Sequence, residues 1–185
     1  MQNINKVLHS TEFLELKSTQ SPISGKDWVY AHRPNAKNVI VIVPIITNEY
    51  VLFLKTKRPP IISEGIGQQC IELPAGLIGD EYKNETIEDA LKRELLEETG
   101  MLCYDFKIVA KNVASSSGLS SEVCTIAFAY INDDTLYKKP QTDNGIIIDR
   151  VKIPIDKIKI WLKEEQKKGS VLSAQTLAAL FYLFC

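Results

Sequence analysis

Apolar positions along this chain follow two periods. Residues 28–32, 39–46, 50–55, 101–110, 123–131 and 145–155 form runs rich in β-branched and aromatic side chains, bounded by turn-forming residues, and read as strands. Residues 86–99, 155–168 and 172–184 repeat their apolar positions every three to four residues and read as helices. No internal repeat, low-complexity tract or Pro/Gly/Ser-rich linker interrupts them, which argues against a second independently folding domain. Helices that follow a strand-rich first half predict an α/β sandwich.

The helix expected at 86–99 violates its own pattern in an informative way. At roughly 100° per residue, Ile87, Ala90, Leu91 and Leu95 share one apolar face. Glu94 and Glu98 project into the middle of that face, about 40° apart, with Glu97 at its edge. Lys92 and Asp89 point away. Either these acids form a solvated face with Lys92 and Arg93, or they bind a cation. Their phase favours the cation, because a buried carboxylate must be protonated, paired or metal-bound. Oxygen ligands so spaced suit Mg²⁺ or Mn²⁺, whose retained waters can meet substrate phosphates. Thr86 and Asp89 predict a capping box at the helix start, and Gly100 a left-handed C-cap.

The segment Arg93-Glu94-Leu95-Leu96-Glu97-Glu98-Thr99-Gly100-Met101, with Glu85 upstream, resembles the signature box of the Nudix hydrolases. That box reads Gly, five residues, Glu, seven residues, Arg-Glu-aliphatic-any-Glu-Glu-any-Gly-aliphatic, and the chain matches it from Glu85 to Met101. Between Gly76 and Glu85 stand eight residues rather than five, so the loop 77–84 carries a three-residue insertion unless Gly79 replaces Gly76 as the opening glycine. Gly76 is preferred, since Glu72-Leu73-Pro74-Ala75-Gly76-Leu77-Ile78 resembles the box opening of the ADP-ribose pyrophosphatase branch. The resemblance implies a Nudix-type α/β/α sandwich with a mixed β-sheet at 37–185. It also implies a small N-terminal β-segment at 1–36 for dimerisation and substrate contacts.

By the same resemblance Glu94, Glu97 and Glu98 are metal ligands, with the Ala75 carbonyl as a further one, and Arg93 pairs with Glu85 to brace the loop on the helix. Mg²⁺ is the implied cofactor, with Mn²⁺ as a substitute. Arg58, in Lys57-Arg58-Pro59-Pro60, matches an arginine that contacts pyrophosphate in the branch. Trp28 and Arg33 match a base-stacking tryptophan and a phosphate-reaching arginine, on a strand that in relatives serves the partner subunit of a homodimer. Leu77 joins the substrate contacts. The branch's loop acid is missing here: 143–149 has apolar residues where a glutamate is expected, flanked by Asp143 and Asp149. Glu122 is the acid placed first for activating water, although metal-bound water needs no dedicated base. The implied reaction is hydrolysis of a nucleoside diphosphate sugar, ADP-ribose to AMP and ribose 5-phosphate foremost. UDP- and GDP-sugars, or an ADP-ribose sensor that does not hydrolyse, remain alternatives.

Composition narrows the partners. With 185 residues, 45% apolar and 24% charged, and a formal charge of −1, the chain suits one globular core and has no general attraction to nucleic acid or anionic membrane. Residues 80–98 hold eight acids against three bases, whereas 157–168 is mostly basic and reads as a solvated helix face. Cys70, Cys103, Cys124 and Cys185 lack metal-ligand spacing and no signal peptide precedes them. They read as small core residues of a reduced, cytoplasmic protein. The apolar run 171–185 is too short to span a bilayer and predicts a docked final helix. His9 and His32 show no catalytic partner in sequence.

Overall fold

A computed structural model of the chain describes residues 5–36, 38–79 and 84–185. The lengthened loop 77–84 therefore falls partly outside the described residues, at 80–83. Three strands, β1 (Lys6–Ser10), β2 (Glu15–Gln20) and β3 (Asp27–His32), make a small antiparallel sheet. A second, eight-stranded sheet contains β4 (Asn38–Ile46), β5 (Tyr50–Thr56), β6 (Cys70–Glu72), β7 (Ala75–Ile78), β8 (Asp105–Ala114), β9 (Val123–Ile131), β10 (Ile147–Pro154) and β11 (Val171–Leu172). The helices are α1 (Pro59–Ser63), α2 (Ile87–Thr99), α3 (Ile158–Lys167) and α4 (Ala174–Phe184).

The large sheet is mixed. Its main path runs β11, β6, β5, β4, β9, β8, with β10 pairing β5 and β7 pairing β4. Central β4 is buried on both faces, which explains why its sequence is apolar almost without a break. Val39, Val41, Val43 and Ile45 join one apolar cluster with Ile158 and Leu162 of α3 and Ala179 and Leu180 of α4. Ile40, Ile42 and Ile46 join another with Ala90, Leu91 and Leu95 of α2. Alternation along one strand thus glues helices to both faces of the sheet, giving the α/β/α sandwich expected from the sequence.

Several boundaries differ from the sequence reading. The strand expected at 101–110 begins at Asp105 and runs to Ala114, because Met101 is buried in the α2-side cluster and starts a connection instead. The helix expected at 155–168 opens with a single 3₁₀ turn over Ile155–Lys157. Strands β6, β7 and β11 span three, four and two residues, too few to display a period. The apolar pattern marks neither β1 nor β2 within the β-segment that the resemblance implies, because β1 is exposed along its whole length and the one buried residue of β2 is the polar Ser18. Within the basic stretch 157–168, Glu165 is buried and bonded to Lys55 at 3.0 Å and Lys168 at 2.9 Å, so that face is not wholly solvated. Cys70 and Cys124 are buried and Cys103 half-buried, but Cys185 is exposed, which corrects its reading as a core residue: it follows the last turn of α4. No helix among the described residues is long and apolar enough to cross a membrane.

Candidate functional site

The start of α2 is built as its sequence demands. The Thr86 hydroxyl accepts the Asp89 N–H at 3.1 Å while the Asp89 carboxylate accepts the Thr86 N–H at 3.2 Å, a reciprocal capping box. The helix ends at Gly100, whose φ of 77° is left-handed. A side chain at Gly100 would also strike the Lys138 carbonyl, since a Cβ there would lie 2.4 Å from it.

The site lies where the large sheet splits. Central β4 pairs with β7 at residues 38–41 but with β5 only at Ile45 and Ile46, while its other edge runs parallel to β9 throughout. Pro74 carries no N–H for a ladder between β6 and β7, and its carbonyl accepts the Ile42 N–H at 2.8 Å. Residues from both sides of this split line one cleft of about 840 Å³. Glu94, Glu97 and Glu98 enter it from α2, Ala75, Gly76 and Leu77 from β7, and Arg58 and Glu72 from the β5–β6 side. Arg33, Glu122 and Asp143 close the rim.

Arg93 braces this arrangement. Its Nε donates to Glu85 Oε1 at 2.8 Å and its Nη2 to Glu85 Oε2 at 3.2 Å and the Leu77 carbonyl at 3.0 Å, while Nη1 donates to Glu94 at 2.5 Å. A planar guanidinium fork serves such divergent acceptors; an ammonium cannot. Glu85 also accepts the Gly79 N–H at 2.8 Å. Burial alone would raise the Glu85 carboxyl, but the Arg93 hydrogen bond, the Gly79 N–H and the Arg93 charge together hold it below the ordinary range. Gly76 leaves room for the Glu94 side chain: a Cβ there would sit 1.7 Å from Glu94 Oε1. Gly79 has a different role, with a φ of 92° in the turn that meets Glu85.

Glu98 accepts the Ala75 N–H at 2.9 Å. Although the side chain still reaches solvent, its carboxylate is walled in, and burial, with help from the charges of Glu94 and Asp143, pushes its pKa up to about 8 against the Ala75 N–H and Arg58. Among the described residues no three Glu, Asp, His or Cys side chains converge tightly enough to enclose an ion by themselves. The donor chemistry nevertheless fits Mg²⁺ or Mn²⁺: the hard carboxylate oxygens of Glu94, Glu97 and Glu98 line one cleft, and Mg²⁺ needs only one or two protein carboxylates beside its waters.

Not every residue expected at the site is found in the cleft. Trp28 does not line it; its indole N–H donates to the Gly118 carbonyl at 2.8 Å. Glu85 stands behind it, acting through Arg93. Arg33 and Glu122 both line the cleft but pair with each other at 2.7 Å, and Arg58 pairs with Glu72 at 2.9 Å. Asp143 lines the cleft, whereas Asp149 is exposed on β10 and accepts the Arg150 N–H. His32 bonds the Ser121 hydroxyl at 2.9 Å, one of several ties between β3 and the 116–122 loop. Sequence reasoning passed over Phe13, Gln141 and Gln175, which also line the cleft, because each comes from a segment without a motif.

A NUDIX domain model matches residues 36–171. The chain is 30% identical over 143 residues to a Nudix hydrolase of Schizosaccharomyces pombe, covering 76% of this chain and 66% of that protein. It is 29% identical over 126 residues to the ADP-sugar pyrophosphatase of Mus musculus, covering 63% of this chain and 53% of that protein. The chain thus spans between about half and two thirds of these curated relatives. The crystal structure of an ADP compounds hydrolase superposes with a TM-score of 0.70 at 21% identity, over 97% of this chain and 89% of that one, and shares the fold.

Proposed function

Because this chain belongs to the Nudix family, we propose that it is a divalent-cation-dependent pyrophosphatase of nucleoside diphosphate sugars, cleaving ADP-ribose to AMP and ribose 5-phosphate. The observation that carries this reading is the meeting of Glu94, Glu97 and Glu98 with two arginines, Arg33 and Arg58, in one cleft. A bound divalent cation supplies charge neutralisation and lowers the pKa of a coordinated water. Glu94, Glu97, Glu98 and the Ala75 carbonyl would hold it. Arg93 and Glu85 keep the helix and the box loop in register. Arg58 and Arg33 turn from Glu72 and Glu122 to the pyrophosphate oxygens, which suit a guanidinium fork, and Leu77 packs beside them. Glu122, released by Arg33, takes a proton from the attacking water as the new P–O bond forms. The bridging P–O bond breaks and the leaving phosphate departs with its electron pair. The likeness to the mouse ADP-sugar pyrophosphatase supports adenine as the base.

Residues 1–36 form the dimerisation segment in this reading, with Trp28 serving a second copy's site. Exposed Val7, Leu8, Leu16 and Val29 on the small sheet support it. A reduced, cytoplasmic setting accords with four unpaired cysteines. The test is AMP release from ADP-ribose with and without Mg²⁺, beside UDP-glucose and GDP-mannose, for the native chain and Glu98→Gln. Metal-dependent release lost in the variant supports the proposal. Cleavage of UDP-glucose or GDP-mannose alone rejects the substrate and keeps the chemistry. Calorimetric binding of ADP-ribose without cleavage by the native chain replaces the hydrolase with a sensor.

A further inference from the structure

The C-terminal turn of α2 has an electrostatic problem. It carries Glu94, Glu97 and Glu98 near the negative end of the helix dipole and no basic residue of its own in the last turn. A helix also leaves its last carbonyls without intrahelical partners. Here the chain resolves both from elsewhere. Arg150, in the middle of β10, donates through Nε to the Glu98 carbonyl and through Nη2 to the Gln141 carbonyl. The Gln141 N–H donates to the Glu97 carbonyl at 2.7 Å, and the Tyr137 N–H to the Gly100 carbonyl at 2.8 Å. The two main-chain carbonyls of Glu97 and Glu98 are therefore held by one half-buried arginine and the segment it grips.

That segment leads directly into the cleft. Two residues beyond Gln141, Asp143 lines the same cleft as Glu94, Glu97 and Glu98, and its charge acts on Glu98. The turn that carries Asp143 is closed by the Gly145 N–H on the Thr142 carbonyl at 3.0 Å and the Ile147 N–H on the same carbonyl at 2.9 Å. Asp143, Asn144 and Gly145 all have left-handed backbones, with φ of 45°, 53° and 86°. The base of this turn is tied down at Gln141, whose N–H donates to the Glu97 carbonyl and whose own carbonyl accepts from Arg150.

We propose that Arg150 is a positioning residue: by pinning the Glu98 and Gln141 backbones together, it sets the α2 carboxylates and Asp143 at fixed spacing around the cation. This rests on the hydrolase reading of the cleft. Arg150 is not among the residues that line the cleft, and it acts through the backbone. Lysine is no substitute, because a point donor cannot fork between carbonyls of two segments.

The test uses the full chain with Arg150→Ala, Arg150→Lys, Asp143→Asn and the Arg150→Ala/Asp143→Asn double variant. Three readouts are taken: Mn²⁺ affinity by electron paramagnetic resonance titration, amide hydrogen exchange, and steady-state kinetics. The expected result for Arg150→Ala is a loss of Mn²⁺ affinity of about tenfold or more, as for other residues that orient ligands from behind. Faster exchange at Gln141 and a fall in kcat with KM nearly unchanged accompany it. Arg150→Lys recovers little, and the double variant is impaired by less than the product of the two single effects. Native Mn²⁺ affinity and kcat in a folded Arg150→Ala overturn the proposal, as do native values in Arg150→Lys should the alanine variant not fold. A native chain that neither binds Mn²⁺ nor cleaves any nucleotide sugar overturns the hydrolase reading instead. The anchoring is then decided by exchange, where unchanged protection of Gln141 in the variants refutes it.

Discussion

Replacing Gly76 by alanine separates the cation site from the stability of the fold. Gly76 lies on β7 opposite Ile40 of β4, so its backbone is fixed by the ladder. The new Cβ would lie 1.7 Å from Glu94 Oε1, 1.9 Å from Cδ and 2.6 Å from Cγ. Because Cβ atoms essentially never approach another heavy atom within 3.0 Å, the Glu94 carboxylate must recede by more than 1 Å. It is the end of a flexible side chain and can rotate. The displacement weakens its bond to Arg93, but Arg93 keeps Glu85 and the Leu77 carbonyl. Since Arg93 keeps those other acceptors, the loss of stability is about 1.5 kcal/mol, the low end for a charge-assisted hydrogen bond. One carboxylate leaves the cation site, and Mn²⁺ affinity falls by about tenfold or more, equivalent to about 1.4 kcal/mol. Urea unfolding and Mn²⁺ titration measure the two effects. In a Glu94→Ala background the alanine at 76 should add almost nothing to the loss of affinity. Unchanged Mn²⁺ affinity in Gly76→Ala, or a further large loss in the Glu94→Ala background, refutes the reasoning.

Three other outcomes follow from the same geometry. Glu165→Ala leaves Lys55 partly buried without its carboxylate partner and should destabilise the fold by about 3 kcal/mol, read as a lower urea midpoint at pH 7. Arg93→Lys loses the fork to Glu85 and Leu77 and should cost about tenfold to a hundredfold in kcat/KM, with raised Mn²⁺ demand, measured in steady state. The raised Glu98 pKa gives a third: in the cation-free protein this group contributes stability that is complete below about 4.5, its ordinary value, and is lost as pH rises through about 8. Between those limits Mg²⁺ binding must displace the Glu98 proton, so thermal stabilisation by Mg²⁺ should grow with pH up to about 8 and flatten above it. Glu98→Gln should show neither slope in a thermal-shift series.

Much of the site was legible because a helix exposes its chemistry as phase. Glu94 falls on the face of Ala90, Leu91 and Leu95, and in the fold it is buried beside them. The capping box and Gly100 are local rules, and local rules survive folding. Central β4 was legible because burial on both faces leaves an unbroken apolar run. Short strands were not: β6 and β7 exist because the longer β5 and β4 offer them an edge, β11 because β6 offers one in turn, and their own two to four residues carry no period. The buried Glu165 was equally hidden, since its partner Lys55 lies 110 residues away.

The sequence by itself determined the family, the sandwich and the identity of the acids on α2, since these depend on spacing within single elements. Only the tertiary structure decided what those acids face. Long-range packing places Arg33 on Glu122 and Arg58 on Glu72, turns Trp28 to the Gly118 carbonyl, and brings Asp143 but not Asp149 to the cleft. Arg150 shows the reason most plainly: in sequence it is one cation on a strand, and its partners are carbonyls, which every residue has. A backbone acceptor leaves no mark in the sequence, so only the fold could show that this arginine holds the end of α2.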